Sequence, residues 1–565
     1  MSAKTSGDNE NVNIVKAAGQ IGFYTLLSRV TGLVRDVAIG SVFGAGLLTD
    51  TFFTAFRIPN LLRRVVGEGA SAAAFVPVVS EYRHQQSQAE TVTMLGAVLG
   101  VGLVILLMLT AAGMVWAGPL TKVFAPGFAE EKLALTVIQL RIMFPYVVFI
   151  GLSAMAMGVL HAFRHFAASA FAPILLNIAT ILATCFVWWS PTIVEKPILA
   201  LAGAVVVGGL AQLLWQVPVL HRLGVLVRPR WTPRHPAIRQ IGFLLLPVLF
   251  SSVLYQLGLL VNSLFASLLA EGSVSVLWYA NRVFDFPQGI FVVALSSAVL
   301  PSLTVQAQRG NLNSVSESLG FALRLVNFVV LPAAIGLILL ARPICGVLFF
   351  HGAFSAAQVV TTATTLQYMA VGLWPVAIGR LLASCLYALH DTRSPLFTGA
   401  VAFVANVLFS VMLMGKVTVH ADTHLLARSV GSLSETVATW HLGAAGLALA
   451  SSLSATVNTV LLSGILYRRL GRFSWRSWFR SLRWSVMASL CMVWPVWLLA
   501  QQMAWVDHNE PFLLQVSVLF VAIVVGIGVF VIIAWKGAKA EFRALLDMLP
   551  ERVFRLLPQF LKTSR

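Results

Sequence analysis

The chain has 565 residues, 58% of them hydrophobic and 11% charged, against about 25% charged in a soluble domain. With a mean hydropathy of +0.86, that composition excludes a water-soluble globular protein and makes a bilayer the solvent. The formal net charge of +18 is spread over short loops between apolar runs. With no nucleic-acid-binding signature, no nucleic acid partner is expected, and the basic excess reads as orientation by the positive-inside rule.

In chain order, residues 1–15 are polar, lack a signal-peptide h-region and cleavage site, and are expected to form a short cytoplasmic tail. Fourteen apolar runs follow, near 16–43, 48–80, 91–118, 135–160, 168–189, 198–220, 238–269, 273–304, 318–341, 364–389, 395–415, 438–467, 483–503 and 511–535. Each has about the 20 residues needed to cross roughly 30 Å of hydrocarbon. Loops after even-numbered runs hold Arg83, Arg164, Arg222, Arg228, Arg309, Arg393, Arg468 and Arg476, whereas loops after odd-numbered runs, such as "GAGLLTD" and "VDHNEP", are poor in Lys and Arg. The alternation requires an even number of spans with both termini in the cytoplasm. The loop 416–436 is polar and reads as a solvated external loop. Its "HADTH" places His420 and His424 at i,i+4, which is a weak metal motif. Residues 536–565 mix Leu and Phe with Arg and Lys, as a basic amphipathic cytoplasmic tail would. Cys185, Cys345, Cys385 and Cys491 form no CxxC pair and read as packing residues.

Two stretches about 230 residues apart resemble each other: "FPYVVFIGLSAMAMGVLHAFRHFAASAFAPILLNIATIL" (144–182) and "WPVAIGRLLASCLYALHDTRSPLFTGAVAFVANVL" (374–408), each with a mid-helix Asn, Asn177 and Asn406. "AFVPVVSEY" (74–82) likewise parallels "AVLPSLTVQ" (298–306). The fold expected is therefore an all-α integral membrane protein of about 14 transmembrane helices in two pseudo-symmetric six-helix lobes, 16–222 and 238–469, with two additional helices at 483–535. Lobes repeated with the same orientation have a transporter's logic.

The first two runs and the eighth carry charges that lipid would not tolerate: Arg29, Arg35, Asp36, Asp50, Arg57, Arg63, Arg64, Glu68, Arg282 and Asp285. An ionisable group at mid-bilayer costs roughly 2.5 to more than 10 kcal/mol, so these groups must face protein or a water-filled cavity. Arg64 and Glu68 stand at i,i+4 and Arg282 and Asp285 at i,i+3, whereas Arg35 and Arg63 have no opposite charge at helical spacing. The excess is cationic, and a cationic cavity suits phosphate or carboxylate, which the planar Arg fork binds through two oxygens at once. Arg57, Arg64 and Arg83 can instead snorkel to the cytoplasmic face.

The motifs "SRVTGLVRD", "TDTFFTAFRIPNLLRRVVGEGA", "YANRVFDFPQGIFVVALSSAVLPSL" and "GAFSAAQVVTTATTLQYMAVGL" resemble those of the MurJ (MviN) family of lipid II flippases, over about residues 15–535. The family belongs to the multidrug/oligosaccharidyl-lipid/polysaccharide flippase superfamily. The resemblance implies translocation of lipid II, the undecaprenyl-pyrophosphate-linked peptidoglycan precursor, from the inner to the outer leaflet of a bacterial cytoplasmic membrane by alternating access. It implies substrate-binding roles for Arg29, Arg35, Arg63 and Arg282, functional acids at Asp50, Glu68 and Asp285, and a lipid-tail groove on 483–535. Many relatives have an acid where this chain has Asn281, so charge balance with Arg282 falls to Asp285. Asn262 and Asp391 are the candidates for ion coupling, with sodium, protons and membrane potential all open. No cofactor is implied. The expected partners are lipid II, membrane lipids and the cell-wall synthesis machinery. The alternatives are a related polysaccharide-lipid flippase or multidrug exporter of the superfamily, and a membrane enzyme. A drug exporter calls for acids to hold cationic drugs, and an enzyme for clustered carboxylates or His with divalent metal; neither pattern is evident.

Overall fold

In the computed structural model, residues 2–65, 71–190, 196–417, 425–471, 475–507 and 509–547 are described. Among them every regular element is helical, as a chain with no water to satisfy its backbone requires. The chain forms two compact units, 1–275 with 419–428, and 276–418 with 429–565.

The first unit contains α1 (Ser2–Phe43), α2 (Leu47–Val65), α3 (Ser71–Gln85), α4 (Gln88–Val115), α5 (Ala117–Phe124), α6 (Glu130–Met143), α7 (Tyr146–Ala162), α8 (Ala167–Trp189), α9 (Pro197–Arg222) and α10 (Pro236–Ser267). Gly44, at φ +66°, ends α1 in the left-handed conformation open to glycine. A reciprocal capping box of Ser87 and Glu90 starts α4. The core joins Phe75, Val78 and Val79 of α3 to Met94 and Leu95 of α4, Val159 and Leu160 of α7, and Ala237 and Ile241 of α10. Because α10 packs against α3 and α2, the boundary of this unit lies at Ser275. The lobes expected from sequence meet between 222 and 238.

The second unit contains most of α11 (Ser273–Pro287), a π-helical turn at Gln288–Val292, α12 (Val293–Gln308), α13 (Leu312–Phe349), α14 (Ala356–Val371), α15 (Leu373–Ala388), α16 (Arg393–Met414), most of α17 (Leu425–Val437), α18 (Ala444–Leu470), α19 (Trp475–Ala500), α20 (Phe512–Gly537) and α21 (Lys539–Asp547). The 38-residue α13 is its axis and packs against α14, α15 and α19. The segment 416–436, read from sequence as a loop, is partly helical: the buried Ser434 of α17 accepts from the Val417 N–H at 3.1 Å. His420 and His424 lie outside the described residues.

Ten segments among the described residues are long and apolar enough to cross a membrane. Two of these, Glu130–Ala162 and Ala356–Ala388, each contain two helices, α6 with α7 and α14 with α15. The other expected spans, near 16–43, 48–80, 238–269 and 273–304, are also built from helix, in α1, α2 and α3, α10, and α11 with α12. In the first, second and eighth spans the charges listed above lower the apolarity.

One corner recurs in both units. Arg164 and His390, the non-glycine residues with positive φ among the described residues, both at 59°, each follow a helix end. In each the next N–H reaches back five residues, His165 to the Leu160 carbonyl at 2.8 Å and Asp391 to the Leu386 carbonyl at 2.9 Å. The corners occupy corresponding places in the two similar stretches of sequence.

Glycine also sets how closely backbones meet. The Arg230 N–H donates to the Gly96 carbonyl at 2.9 Å, and a Cβ at Gly100 would strike the Arg230 backbone, whereas one at Gly203 would meet nothing within 4 Å. Gly100→Val should lower the melting temperature of the purified protein, with an overpacking cost of about 1–3 kcal/mol. Gly203→Ala, in open space within α9, should leave the melt unchanged or raise it slightly; a Gly100→Val melt as high as that of Gly203→Ala would show that the contact is soft.

Candidate functional site

The charged groups of the first two expected spans sort into two networks and three half-buried arginines. On α1, Arg35 is 6% exposed and Asp36 fully buried. Arg35 Nε and Nη2 donate to Asp36 Oδ1 at 2.9 and 2.7 Å, and Nη1 donates to Asn177 Oδ1 of α8 at 3.1 Å. The Asn177 amide donates in turn to the Ser28 carbonyl and the Thr31 hydroxyl, both at 3.1 Å, and the guanidinium lies 5.8 Å from the Phe56 ring centre. Helical spacing gave Arg35 no acid, because adjacent residues point apart. The long side chain nevertheless folds back onto its neighbour, where a buried charge pair needs its remaining donors satisfied, and Asn177 takes one of them.

Asp50 of α2, 1% exposed, is the centre of the second network. Oδ2 accepts from Lys132 Nζ at 2.7 Å and the Gly272 N–H at 2.8 Å, while Oδ1 accepts from the Ser275 N–H at 2.9 Å and its hydroxyl at 2.6 Å. Thr49 and Ser275 share a 2.9 Å hydroxyl contact, and Glu271 Oε1 accepts from the Leu47 N–H at 2.8 Å. Asp50 thus caps the first turn of α11, where an anion is favoured by the helix dipole. Lys132 and the turn 271–275 were not singled out in the sequence. They stand 82 and more than 220 residues from Asp50, and no spacing rule reaches that far.

Arg29 of α1 and Arg57 and Arg63 of α2 are half-buried, and Arg63 Nε donates to Asn60 Oδ1 at 2.8 Å. Glu68 lies outside the described residues, as does the Arg64 side chain. Asn262 is half-buried on α10.

In the second unit, Arg282 of α11 is half-buried with its guanidinium 5.9 Å from the Trp278 ring centre, one turn earlier. Asn281 Nδ2 donates to Asp285 Oδ2 at 3.3 Å, so the neutral residue at 281 orients the carboxylate. The structure adds Arg380, half-buried within α15, inside an apolar segment that meets the criteria for a membrane span. The signal was visible in "WPVAIGRLLASC", a single cation in an otherwise uncharged helix. Asp391 lies in the α15–α16 corner, where Oδ1 accepts from the N–H groups of Arg393 and Ser394 at 3.1 and 3.0 Å and Oδ2 from the Ser394 hydroxyl at 2.6 Å. Arg469 stands 3.2 Å away. Among the described residues no group of three or more His, Cys, Asp or Glu side chains is arranged to hold a metal ion.

The two networks and the Asp391 corner predict different mutational outcomes. Arg35→Ala would take a guanidinium away from the buried Asp36 carboxylate, a cost of up to about 3–5 kcal/mol, read as a fall in melting temperature and membrane abundance. Arg35→Ala with Asp36→Ala should recover much of that loss, and a double variant no more stable than the single would remove the pair from the account. At Asp391, hydrogen bonds from the Ser394 hydroxyl and N–H, aided by Arg469 and the Arg393 N–H, hold the carboxyl below the usual carboxylate range. A depressed folded pKa gives stability that is fully present above the unfolded value and lost as pH falls through the folded one. The melting difference between the native chain and Asp391→Asn should therefore stay constant from neutral pH to about pH 5 and narrow only below about pH 4. A difference that narrows between neutral pH and about pH 5 would contradict the depressed pKa.

Residues 39–516 match the family model described as the lipid II flippase MurJ. The chain is 35% identical over 457 residues to the lipid II flippase MurJ of Burkholderia cenocepacia, covering 80% of this chain and 83% of that one. It is 33% identical over 486 residues to a protein of Buchnera aphidicola subsp. Acyrthosiphon pisum named as a probable lipid II flippase MurJ, covering 85% and 89% of the two chains. Among solved structures, a lipid II flippase MurJ in an inward closed conformation superposes with a TM-score of 0.72 at 24% identity, covering 93% of this chain and 99% of that one. A family model matching most of the chain, and relatives above 30% identity over four-fifths of it, place this multi-pass membrane protein in the MurJ lipid II flippase family.

Proposed function

We propose that the chain is a lipid II flippase, which carries the lipid-linked peptidoglycan precursor across the bacterial cytoplasmic membrane for cell-wall biogenesis. The observation that carries the reading is the set of half-buried guanidinium groups, Arg29 and Arg63 in the first unit and Arg282 in the second, in helices otherwise built for lipid. Lipid II presents a pyrophosphate, and a planar guanidinium matches its oxygens with two parallel hydrogen bonds while staying charged at any working pH. Arg380 joins this set on the same grounds, since a cation within an apolar segment is retained for a purpose.

Arg35 and Asp50 take different parts. Arg35 is already engaged by Asp36 and Asn177, so it shapes the α1 surface that carries Arg29. Asp50 holds the start of α11, the helix bearing Arg282. Transport of this kind exposes the binding groups to each leaflet in turn, and a ligand favours the state that contacts it better. It calls for no catalytic group. The positive-inside pattern supports cytoplasmic termini, and the machinery that consumes the flipped precursor is the natural partner class. A drug exporter is disfavoured because the half-buried charges in the apolar helices are mostly cationic. Asp391 is ill-suited to proton coupling, because a carboxyl held below its usual range stays ionised near neutrality.

The test is complementation of a host depleted of its own flippase, with membrane levels checked by blot. Arg29→Ala, Arg63→Ala and Arg282→Ala should insert normally but fail to support growth, with lipid-linked precursor accumulating. Each lost charge-assisted contact costs about 1.5–3 kcal/mol, roughly ten- to a hundredfold in affinity. Lys at these sites should rescue poorly, for want of the bidentate fork. Arg309, exposed in the turn before α13, should tolerate Ala. Normal growth of Arg63→Ala and Arg282→Ala at normal levels would make these charges structural.

A further inference from the structure

The second unit carries a separate cationic platform. Arg476, Arg480 and Arg483 are exposed at i, i+4 and i+7 on α19, so they line one helix face. Lys536 ends the apolar run of α20, and Lys539 and Arg543 stand at i, i+4 on α21; all three are exposed. Within 476–500 and 530–543 Glu541 is the one acid in the sequence, and its carboxylate is 5% exposed and taken by Arg324 of α13 at 3.0 Å. The six exposed cations have no acid of their own on these segments.

A rigid floor holds the two basic stripes at the same end of the unit. Arg324 is the clamp: Nε pairs with Glu541 of α21 while Nη1 donates to the Ser477 hydroxyl of α19 at 3.3 Å. Phe542 and Ala538 are buried with Phe328 of α13, Ala488 and Met492 of α19, and Phe530 and Ala534 of α20. A Cβ at Gly537 would strike the Trp484 ring, so the end of α20 lies directly on α19. The expected amphipathic tail thus begins as a docked helix, with Glu541 and Phe542 turned inward and Lys539 and Arg543 outward. The platform sits where the apolar stretches of α19 and α20 end, and Phe479 is 55% exposed beside Arg480. Basic and aromatic side chains together at such a level match the headgroup zone of a bilayer.

We propose that this platform is a binding site for the phosphate headgroups of anionic membrane phospholipids. The positive-inside rule accounts for the sign of the charge there, but it does not require an internal ion pair that fixes two cationic stripes side by side. Lipid phosphates, restricted to the plane in which the platform lies, relieve the mutual repulsion of the six cations. The proposal stands apart from the flippase reading, since none of these residues is among the transport arginines.

The test uses the full chain in mixed micelles of phosphatidylcholine and phosphatidylglycerol, with retained lipids counted by native mass spectrometry. The native protein should keep phosphatidylglycerol in preference to phosphatidylcholine. Arg476→Gln/Arg480→Gln/Arg483→Gln and Lys536→Gln/Lys539→Gln/Arg543→Gln should each weaken retention, by about fivefold per charge removed, with unchanged melting temperatures because the groups are exposed. Arg228→Gln/Arg234→Gln, in an exposed basic loop of the first unit, should retain the lipid as the native chain does. Added inorganic phosphate should not displace it. Native-level retention by both triple variants, loss in the loop variant as great as in the triples, or displacement by free phosphate would each overturn the assignment.

Discussion

The structure depends on one constraint, the free energy of holding a charge away from water. An ion moved into a medium of low dielectric loses hydration worth several kcal/mol even after relaxation. In this chain that cost is met in three ways. Arg35 and Asp36 neutralise each other, with Asn177 taking a remaining donor. Asp50 is matched by a lysine, two backbone N–H groups and a hydroxyl. Arg29, Arg63 and Arg282 remain half-buried, held by neighbours that include the Asn60 amide and the Trp278 ring. The first two groups of charges are engaged within the fold; the third is the one we propose for a ligand.

The distinction assigns different work to residues that sequence alone grouped together. A charge whose partners are complete contributes architecture: Asp50 fastens α2 to the first turn of α11, and Asp391 caps the start of α16. A guanidinium with part of its surface open is the kind to which we assign recognition in the proposed function. Arg324 falls between, since its pair with Glu541 orders a helix whose outward face is itself cationic.

Much of this was legible in the sequence. The helical class, the segments able to span and the cationic bias followed from apolar run length and residue counts, which depend on local sequence. The family resemblance named Arg29, Arg35, Arg63 and Arg282 before any geometry was known. What escaped was long-range or sub-helical. The pairing of Arg35 with the adjacent Asp36 violates the spacing rule, because Asn177, far along the chain, orients the side chain. Lys132 and the 271–275 turn reach Asp50 through tertiary folding alone. Arg380 has no acid within a helical turn in the sequence, so nothing local tells a half-buried cation from one that snorkels. The helix within 416–436 was hidden by polar composition, and the inward turn of Glu541 by the basic residues around it.

The central claim is that the half-buried arginines recognise the pyrophosphate of a lipid-linked precursor and that transport depends on this recognition. The most direct measurement is translocation of fluorescently labelled lipid II in proteoliposomes, read by external enzymatic or chemical modification of the label, for the native chain and for Arg63→Ala and Arg282→Ala at matched incorporation. The account predicts movement by the native protein that excess unlabelled lipid II suppresses, and none above empty vesicles for either variant. Native-level translocation by both variants would contradict it.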